Sequence, residues 1–291
     1  MDHPIGISPS SIPALLRRHG LQPDKRLGQN FLVDAASLHK ILDSAELTSQ
    51  DLVLEIGAGL GNLTCLLAAQ AGSVVAIELD ERFIPPLQEV LAGFDNVRIV
   101  QGDILSISPL ELLAGHYRPG INYTVVANIP YYITSAVIRH LLEASIRPQR
   151  MILTVQREVA ERICAQPGHL SLLALSVQVY GRPYIASHIP AGAFFPPPKV
   201  DSAVVRVDIY PQPVIEPRQL DIFFKLIKAG FSQKRKTLRN ALAGALGLSL
   251  PLVEALLRAA QIDPMRRAET LDLSEWSRLT AEYSLTQNSA S

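Results

Sequence analysis

The chain has 291 residues, a length that favours one large domain together with a smaller one. Hydrophobic residues make up 48% and charged residues 19%, which is typical of a globular protein with a substantial core. Lys and Arg total 27 and Asp and Glu total 27, and this balance argues against a non-specific polyanion binder while leaving room for a local basic surface.

Cysteine, histidine and hydropathy patterns bear on metals and on location. Cys65 and Cys164 are isolated and the seven histidines form no metal-ligand pair, so we expect reduced thiols and no metal. No stretch is long and apolar enough to span a bilayer, and the first residues lack a charged segment followed by an apolar core. We therefore expect a cytoplasmic protein that binds no membrane.

The predicted elements begin with a short helix at 11–19, a polar loop at 25–32 and an amphipathic helix at 35–45. Strands and helices then alternate, with helices at 62–70 and 135–144 and strands at 52–56, 73–79, 97–100, 123–127 and 151–155. This alternation predicts parallel βαβ units with right-handed crossovers, and hence an α/β protein with a doubly wound, mostly parallel sheet.

The rest of the chain has a different pattern. Strands are predicted at 177–179, 184–188 and 203–209, and a proline-bearing linker follows at 210–213. Beyond the linker the pattern is helical, with helices at 220–229, 236–246, 251–260 and 274–283. We expect an α/β domain at 1–209 and a small all-helical domain at 210–291.

A glycine motif follows the first strand of the alternating region, with Gly57, Gly59 and Gly61 at every second position. Alone, this motif fits a nicotinamide-dinucleotide site or a simple strand-to-helix turn. The dinucleotide fingerprint requires its third glycine three positions after the second, and that position is Asn62. The spacing therefore disfavours the dinucleotide interpretation.

Acidic residues follow the next two strands. Glu78 ends the second strand, where a carboxylate can accept hydrogen bonds from both ribose hydroxyls. Asp103 follows the third strand, where an adenine amino group would lie. Each could be a solvated loop acid, but the glycine motif and two acidic residues at three successive strand ends favour a nucleoside site.

The fourth strand runs into Asn128-Ile129-Pro130-Tyr131, a segment with a specific chemical use. An adenine amino nitrogen is a poor nucleophile, because its lone pair is delocalised into the ring. The Asn128 side-chain carbonyl and the Ile129 backbone carbonyl can accept both amino protons, and Pro130 stiffens the turn. Tyr131 offers a stacking face for an extruded base, worth about 1–3 kcal/mol. The alternative is a purely structural role, in which the segment is a turn followed by a core tyrosine.

These residues resemble the methyltransferases that dimethylate adenines in ribosomal RNA. The resemblance rests on segment 53–61 (VLEIGAGLG) and on the segment 128–131. Further segments are similar to the enzymes of the small ribosomal subunit, namely 25–34 (KRLGQNFLVD), 194–202 (FFPPPKVDS) and 231–242 (FSQKRKTLRNAL). The last of these discriminates best within the group.

The resemblance implies a class I S-adenosylmethionine-dependent fold and the transfer of four methyl groups to two adjacent adenosines in a hairpin near the 3′ end of 16S ribosomal RNA. It also implies that the substrate is the small subunit late in assembly, and we expect the protein to act as a monomer. By resemblance, Tyr131 and Phe194 sandwich the target base. The residues that would contact S-adenosylmethionine are Asn30, Leu32, Gly57, Gly59, Glu78, Asp103 and Asn128.

The sequence departs from the family pattern beside the tetrapeptide, with Ala127 where glycine is usual and Tyr132 where asparagine is common. These changes bear on the shape of the pocket more than on its chemistry. In the helical region, a basic run without acidic residues spans 225–239. On composition alone it is a solvated face, but the resemblance favours contact with RNA phosphates through Lys234, Arg235, Lys236 and Arg239.

Three alternatives stay open. A related enzyme class methylates large-subunit RNA and confers macrolide resistance; it shares the tetrapeptide but is not expected to carry segment 231–242. An assembly factor would bind the immature subunit and methylate it only secondarily. A nicotinamide oxidoreductase is disfavoured by Asn62 and by the tetrapeptide.

Overall fold

The computed structural model describes residues 12–24, 28–117 and 122–288, with only the backbone at Tyr131. The chain divides into two compact units, Met1–Ala160 with Tyr184–Ile209, and Glu161–Pro183 with Tyr210–Ser291. The predicted boundary near 210 coincides with one of these divisions. Residues 161–183, which were expected in the α/β domain, group with the second unit.

The first unit is built around a seven-stranded sheet. Its strands, in chain order, are β2 (Leu52–Ile56), β3 (Ser73–Glu78), β4 (Val97–Gln101), β5 (Tyr123–Asn128), β6 (Arg150–Gln156), β7 (Gly181–Ile189) and β9 (Ser202–Ile209). The spatial order is β4-β3-β2-β5-β6-β9-β7, parallel from β4 to β6 and antiparallel between β6 and β9. A separate two-stranded ribbon pairs β1 (Phe31–Leu32) with β8 (Phe194–Phe195).

The helices of this part of the chain are α1 (Ile12–Arg18), α2 (Ala35–Ala45), α3 (Asn62–Gln70), α4 (Ile84–Leu91), α5 (Pro109–Leu112), α6 (Thr134–Leu142) and α7 (Arg157–Ile163). The strand order reverses direction between β2 and β5, so right-handed crossovers place helices on both faces of the sheet. The doubly wound, mostly parallel sheet predicted from the sequence is thus confirmed. Every residue of β2 is buried, as expected for a central strand covered on both faces.

One predicted strand, at 177–179, is wrong. This stretch continues a helix, α8 (Leu172–Gln178), whose first turn is capped by the Ser171 side chain accepting from the Ala174 N–H at 3.2 Å. Short apolar runs with β-branched residues fit a strand or a buried helix equally well, and here the cap selects the helix. The predicted strands at 184–188 and 203–209 are confirmed within β7 and β9.

The second unit is helical in its C-terminal part, as predicted. Its further helices are α9 (Leu220–Gly230), α10 (Leu238–Leu246), α11 (Leu250–Ala259) and α12 (Leu273–Asn288). The core of these helices contains Trp276, which is fully buried and stacks on Phe231 at 6.1 Å between ring centroids. Across the residues that the structure describes, no helix has the length and apolarity required to cross a bilayer.

Candidate active site

A pocket lies at the carboxyl ends of β2, β3, β4 and β5, where open parallel sheets bind ligands. It is lined by all the described residues predicted for the cofactor or the target base, namely Asn30, Leu32, Gly57, Gly59, Glu78, Asp103, Asn128, Ile129, Pro130 and Phe194. The strand order sets Asp103, Glu78, Gly57 and Asn128 at four neighbouring strand ends, in that sequence. The stacking role predicted for Tyr131 depends on its side chain, which lies outside the part of the chain that the structure describes.

The glycine loop after β2 requires glycine at its turning points. Gly57, Gly59 and Gly61 have φ of 79°, 56° and 84°, a region that disfavours side chains. A Cβ at Gly57 would lie 3.3 Å from the Asn128 carbonyl oxygen, and one at Gly59 would lie 3.2 Å from the Phe31 ring. The loop therefore brings bare backbone against both the end of β5 and the aromatic wall of the pocket.

Glu78 is held rigidly beside this loop. Its carboxylate accepts the Gly59 N–H at 2.8 Å through Oε2 and the Asp80 N–H at 3.0 Å through Oε1. Burial raises the pKa of Glu78, and the two N–H donors act in the opposite direction. Since each carboxylate oxygen can accept more than one hydrogen bond, both retain capacity for ligand hydroxyls.

Another carboxyl group in the pocket wall belongs to Glu55, which was not among the predicted site residues. Glu55 is 1% exposed, and burial raises the pKa of its carboxyl group to about 8, with the neighbouring Glu78 charge adding to the effect. The only signal for it in the sequence was its place in β2, just before the glycines. From the sequence alone, a strand residue at this position is interpreted as part of the core, and only the structure shows that it lines the pocket.

The segment 28–33 forms another wall, and side chains from distant parts of the sequence fix it in place. The Gln29 amide donates to Asp80 at 2.9 Å, and the Asn62 amide donates to the Leu32 carbonyl at 2.9 Å. On its other side, Leu32 pairs with Phe194 in the β1–β8 ribbon. The Arg82 guanidinium holds the pKa of Asp80 at about 2, so Asp80 is an ionised acceptor at neutral pH.

The tetrapeptide forms the rim at the end of β5. The Asn128 Nδ2 faces the Asn30 carbonyl at 3.5 Å, and Ile129 is 2% exposed. Pro130 leads into a 3₁₀ turn, and its Cβ would lie 3.2 Å from a Cβ at Gly28. Tyr132, one of the departures from the family pattern, also lines the pocket and is 63% exposed.

The predicted RNA-binding residues lie in the second unit. Lys234, Arg235 and Lys236 are exposed on the turn between α9 and α10. Arg239 differs from them, because its guanidinium forms an ion pair and hydrogen bond with Glu254. Its charge is compensated locally, which weakens the expectation that it binds phosphate. Among the described residues, no cluster of three or more His, Cys, Asp or Glu side chains is arranged to hold a metal.

Known proteins are similar to this chain over most of its length. The family model described as Ribosomal RNA adenine dimethylase matches residues 20–280. The chain is 46% identical to Ribosomal RNA small subunit methyltransferase A of Dehalococcoides mccartyi (strain CBDB1), over 97% of this chain and 98% of that protein. It is 44% identical to the protein of the same name from Moorella thermoacetica, over 94% and 96%.

Two solved structures of methyltransferases have a similar fold. The dimethyladenosine transferase from Plasmodium falciparum superposes with a TM-score of 0.73 at 26% identity, covering 88% of this chain and 98% of that one. The 23S rRNA methyltransferase ErmE superposes with a TM-score of 0.70 at 28% identity, covering 87% and 99%. The resemblance predicted from the sequence motifs is confirmed by the family model and by both curated relatives, and the chain belongs to the ribosomal RNA adenine dimethylase family.

Proposed function

We propose that the protein transfers methyl groups from S-adenosylmethionine to the N6 amino groups of two adjacent adenosines in a hairpin near the 3′ end of 16S ribosomal RNA, dimethylating each. The observation that carries the proposal is the meeting of two motifs in one pocket. The glycine loop after β2 approaches Asn128 so closely that a Cβ at Gly57 would lie 3.3 Å from the Asn128 carbonyl oxygen. A methyl donor bound on the loop would therefore lie next to the group that orients an adenine.

The residues of the pocket fit S-adenosylmethionine. The positive-φ glycines leave backbone open for close approach, and Glu78 presents a carboxylate fixed by the Gly59 and Asp80 N–H groups. Asp103 lies one strand further along, at the position for the adenine of the donor. The donor supplies a methyl group already activated by a positively charged sulfur, so the protein has no need to generate a stronger electrophile.

The task of the protein is then to orient the target amine. Because the Asn128 Nδ2 faces the Asn30 carbonyl, the Asn128 Oδ1 is the atom of that amide left to accept an adenine amino proton. The Ile129 carbonyl would accept the second proton, and Phe194 with Tyr131 would hold the ring of the flipped base. Positioning and electrostatics of this kind carry the rate without a general base.

The substrate in this proposal is the small ribosomal subunit late in its assembly, and the protein acts as a cytoplasmic monomer. Identity of 46% to a protein named for the small subunit supports this choice. The exposed Lys234, Arg235 and Lys236 would approach RNA phosphates, which attract basic side chains regardless of sequence.

The similarity to ErmE favours one alternative, methylation of large-subunit RNA. Macrolide susceptibility separates the two, because methylation by the resistance class protects cells that express the enzyme. The proposal predicts that cells expressing this protein stay as susceptible as cells carrying an empty vector. A rise in the inhibitory macrolide concentration, absent in the Asn128→Ala variant, would move the substrate to the large subunit.

A further inference from the structure

Tyr132 is an exposed aromatic residue at the opening of the pocket. It lines the pocket, yet it is 63% exposed to solvent. Two other aromatic residues of the lining differ from it, since Phe83 and Phe194 are only 1% and 3% exposed. A residue that both lines a pocket and faces solvent lies where the pocket opens. Tyr132 can therefore contact a part of the substrate that stays outside the pocket.

The Tyr132 ring lies where two walls of the pocket meet. It belongs to the 3₁₀ turn Tyr131–Ile133, in which the Ile133 N–H donates to the Pro130 carbonyl at 3.2 Å. Gly28 lies beside the ring, because a Cβ on Gly28 would be 3.7 Å from the Tyr132 Cε1 atom. The ring is thus next to both the tetrapeptide and the segment 28–33, on one side of the opening.

The flipping of a base gives such a ring a use. The target adenine would enter the pocket against Phe194, which is buried, so the rest of the RNA stays outside the opening. Flipping also takes one stacking partner away from the nucleotide next to the target. An aromatic side chain can replace that partner, since bases stack on aromatic rings. A purine has a larger face than a pyrimidine and gains more from the replacement.

We infer that Tyr132 stacks on the base next to the flipped adenosine and makes the enzyme favour targets that have a purine neighbour. This inference rests on the proposed function for the identity of the substrate. Two adjacent adenosines suit it, because one of them is then the purine neighbour of the other. Since Tyr132 lies on one side of the opening, the base that it contacts lies on one side of the target.

The experiment measures kcat/KM for the methylation of small subunits reconstituted from transcribed 16S RNA. One adenosine of the pair stays as the single target, and the other is replaced by guanosine or by uridine. Guanosine keeps a purine at that position without offering an N6 amino group. Both orders of target and neighbour are prepared, and unsubstituted subunits serve as the reference. The quantity compared is the ratio of kcat/KM with a guanosine neighbour to kcat/KM with a uridine neighbour.

The proteins are the full-length wild type, Tyr132→Phe, Tyr132→Leu and Tyr210→Leu. Phenylalanine keeps the ring and removes the hydroxyl, whereas leucine keeps an apolar side chain beside Gly28 without a flat face. Tyr210 is the matched control, because it is an exposed tyrosine that is not among the described residues of the pocket lining. A loss of folded protein lowers kcat/KM for both neighbours alike and cancels in the ratio. Thermal melting measures that loss separately.

In one of the two orders, the wild type, Tyr132→Phe and Tyr210→Leu should favour the guanosine neighbour by about three-fold or more, and Tyr132→Leu should lose most of this preference. That order identifies the side on which the neighbour stacks. An unchanged preference in Tyr132→Leu for both orders would overturn the inference. An equal loss in Tyr132→Phe would also overturn it, because the contact would then depend on the hydroxyl. If the wild type did not methylate even the unsubstituted subunits, the proposed function itself would fail, which is a distinguishable result.

Discussion

The backbone N–H of Gly59 donates a hydrogen bond of 2.8 Å to Oε2 of Glu78, joining the glycine loop after β2 to the acidic end of β3. Two motifs that are 19 residues apart thereby form one rigid unit. The carboxylate cannot move without disturbing the loop, and the loop cannot change shape without losing its acceptor. The pocket is thus organised for its ligand before the ligand binds, which reduces the cost of ordering on binding.

Substitution of Glu78 tests the role of this carboxylate. Glu78→Gln keeps the size of the side chain but loses one acceptor oxygen and the negative charge. Hydrogen bonds to charged groups contribute about 1.5–3 kcal/mol, so S-adenosylhomocysteine should bind about ten-fold more weakly or worse. Calorimetry provides the measurement, and Glu81→Gln, at an exposed residue in the turn that follows, provides the matched control. Equal affinity of both variants would contradict ribose binding by Glu78.

Gly57 tests the close approach of the loop to Asn128. Gly57→Ala would place a Cβ 3.3 Å from the Asn128 carbonyl oxygen on a residue with φ of 79°. We expect a loss of about 1–3 kcal/mol in the free energy of unfolding, together with weaker donor binding. Urea unfolding measures the first effect and calorimetry the second. Gly93→Ala is the control, because its Cβ would meet nothing within 4 Å; a similar loss in both variants would refute the steric argument.

Burial of Glu55 predicts a pH-dependent stability. The pKa of Glu55 is raised from 4.5 to about 8, so the unfolded chain releases the proton at lower pH than the folded protein does. The contribution of the protonated Glu55 carboxyl group to the free energy of unfolding is therefore complete below about pH 4.5. This contribution is lost progressively as the pH rises through 8. The ionisable neighbours involved are Glu78, whose charge adds to the shift, and Cys65, whose own pKa is raised to about 11 mainly by burial.

The Glu55→Gln variant removes this titration. Between pH 6 and 7.5, wild-type stability should fall relative to the variant by roughly 1.4 kcal/mol per pH unit. Urea unfolding at several pH values gives the comparison, with Glu81→Gln following the wild type. Parallel pH profiles for wild type and Glu55→Gln would show that the Glu55 carboxyl group is ionised in the folded protein.

The proposed docking surface is the exposed set Lys234, Arg235 and Lys236. Replacing all three with alanine should weaken small-subunit binding and lower the slope of log affinity against log salt by about two to three, since each phosphate contact contributes about 0.7–0.9. Filter binding across a salt series measures that slope. Arg218→Ala is the control, at an exposed arginine of the same unit that pairs with Glu216. An unchanged slope in the triple variant would place RNA contacts elsewhere.

Much of this site could be predicted from the sequence because its parts follow strands. Buried parallel strands such as 52–56 are mostly apolar, and the residues at or just after the end of each strand lie at the ligand-binding edge. Gly57, Glu78, Asp103 and Asn128 could therefore be assigned to one pocket from chain order alone. Their roles toward donor and base stay predictions.

The remaining features depend on contacts that local patterns do not encode. The ribbon that pairs Leu32 with Phe194 joins residues 162 positions apart, and the amide contact of Asn62 to Leu32 spans 30. The sequence of β2 does not show that the Glu55 carboxyl group is buried in the pocket wall, because burial depends on the packing of the whole sheet. Residues 161–183 join the second unit, although nothing in their composition separates them from the α/β domain.

Methyl incorporation from labelled S-adenosylmethionine into small subunits, purified from a strain that lacks the modification, measures the proposed reaction itself. Large subunits and the Asn128→Ala variant serve as parallel controls, and nucleoside analysis follows. We expect dimethyladenosine in small-subunit RNA only, with no product from the variant, which should still bind S-adenosylhomocysteine measurably. Dimethyladenosine in large-subunit RNA, full activity of Asn128→Ala, or no label in either subunit would contradict it.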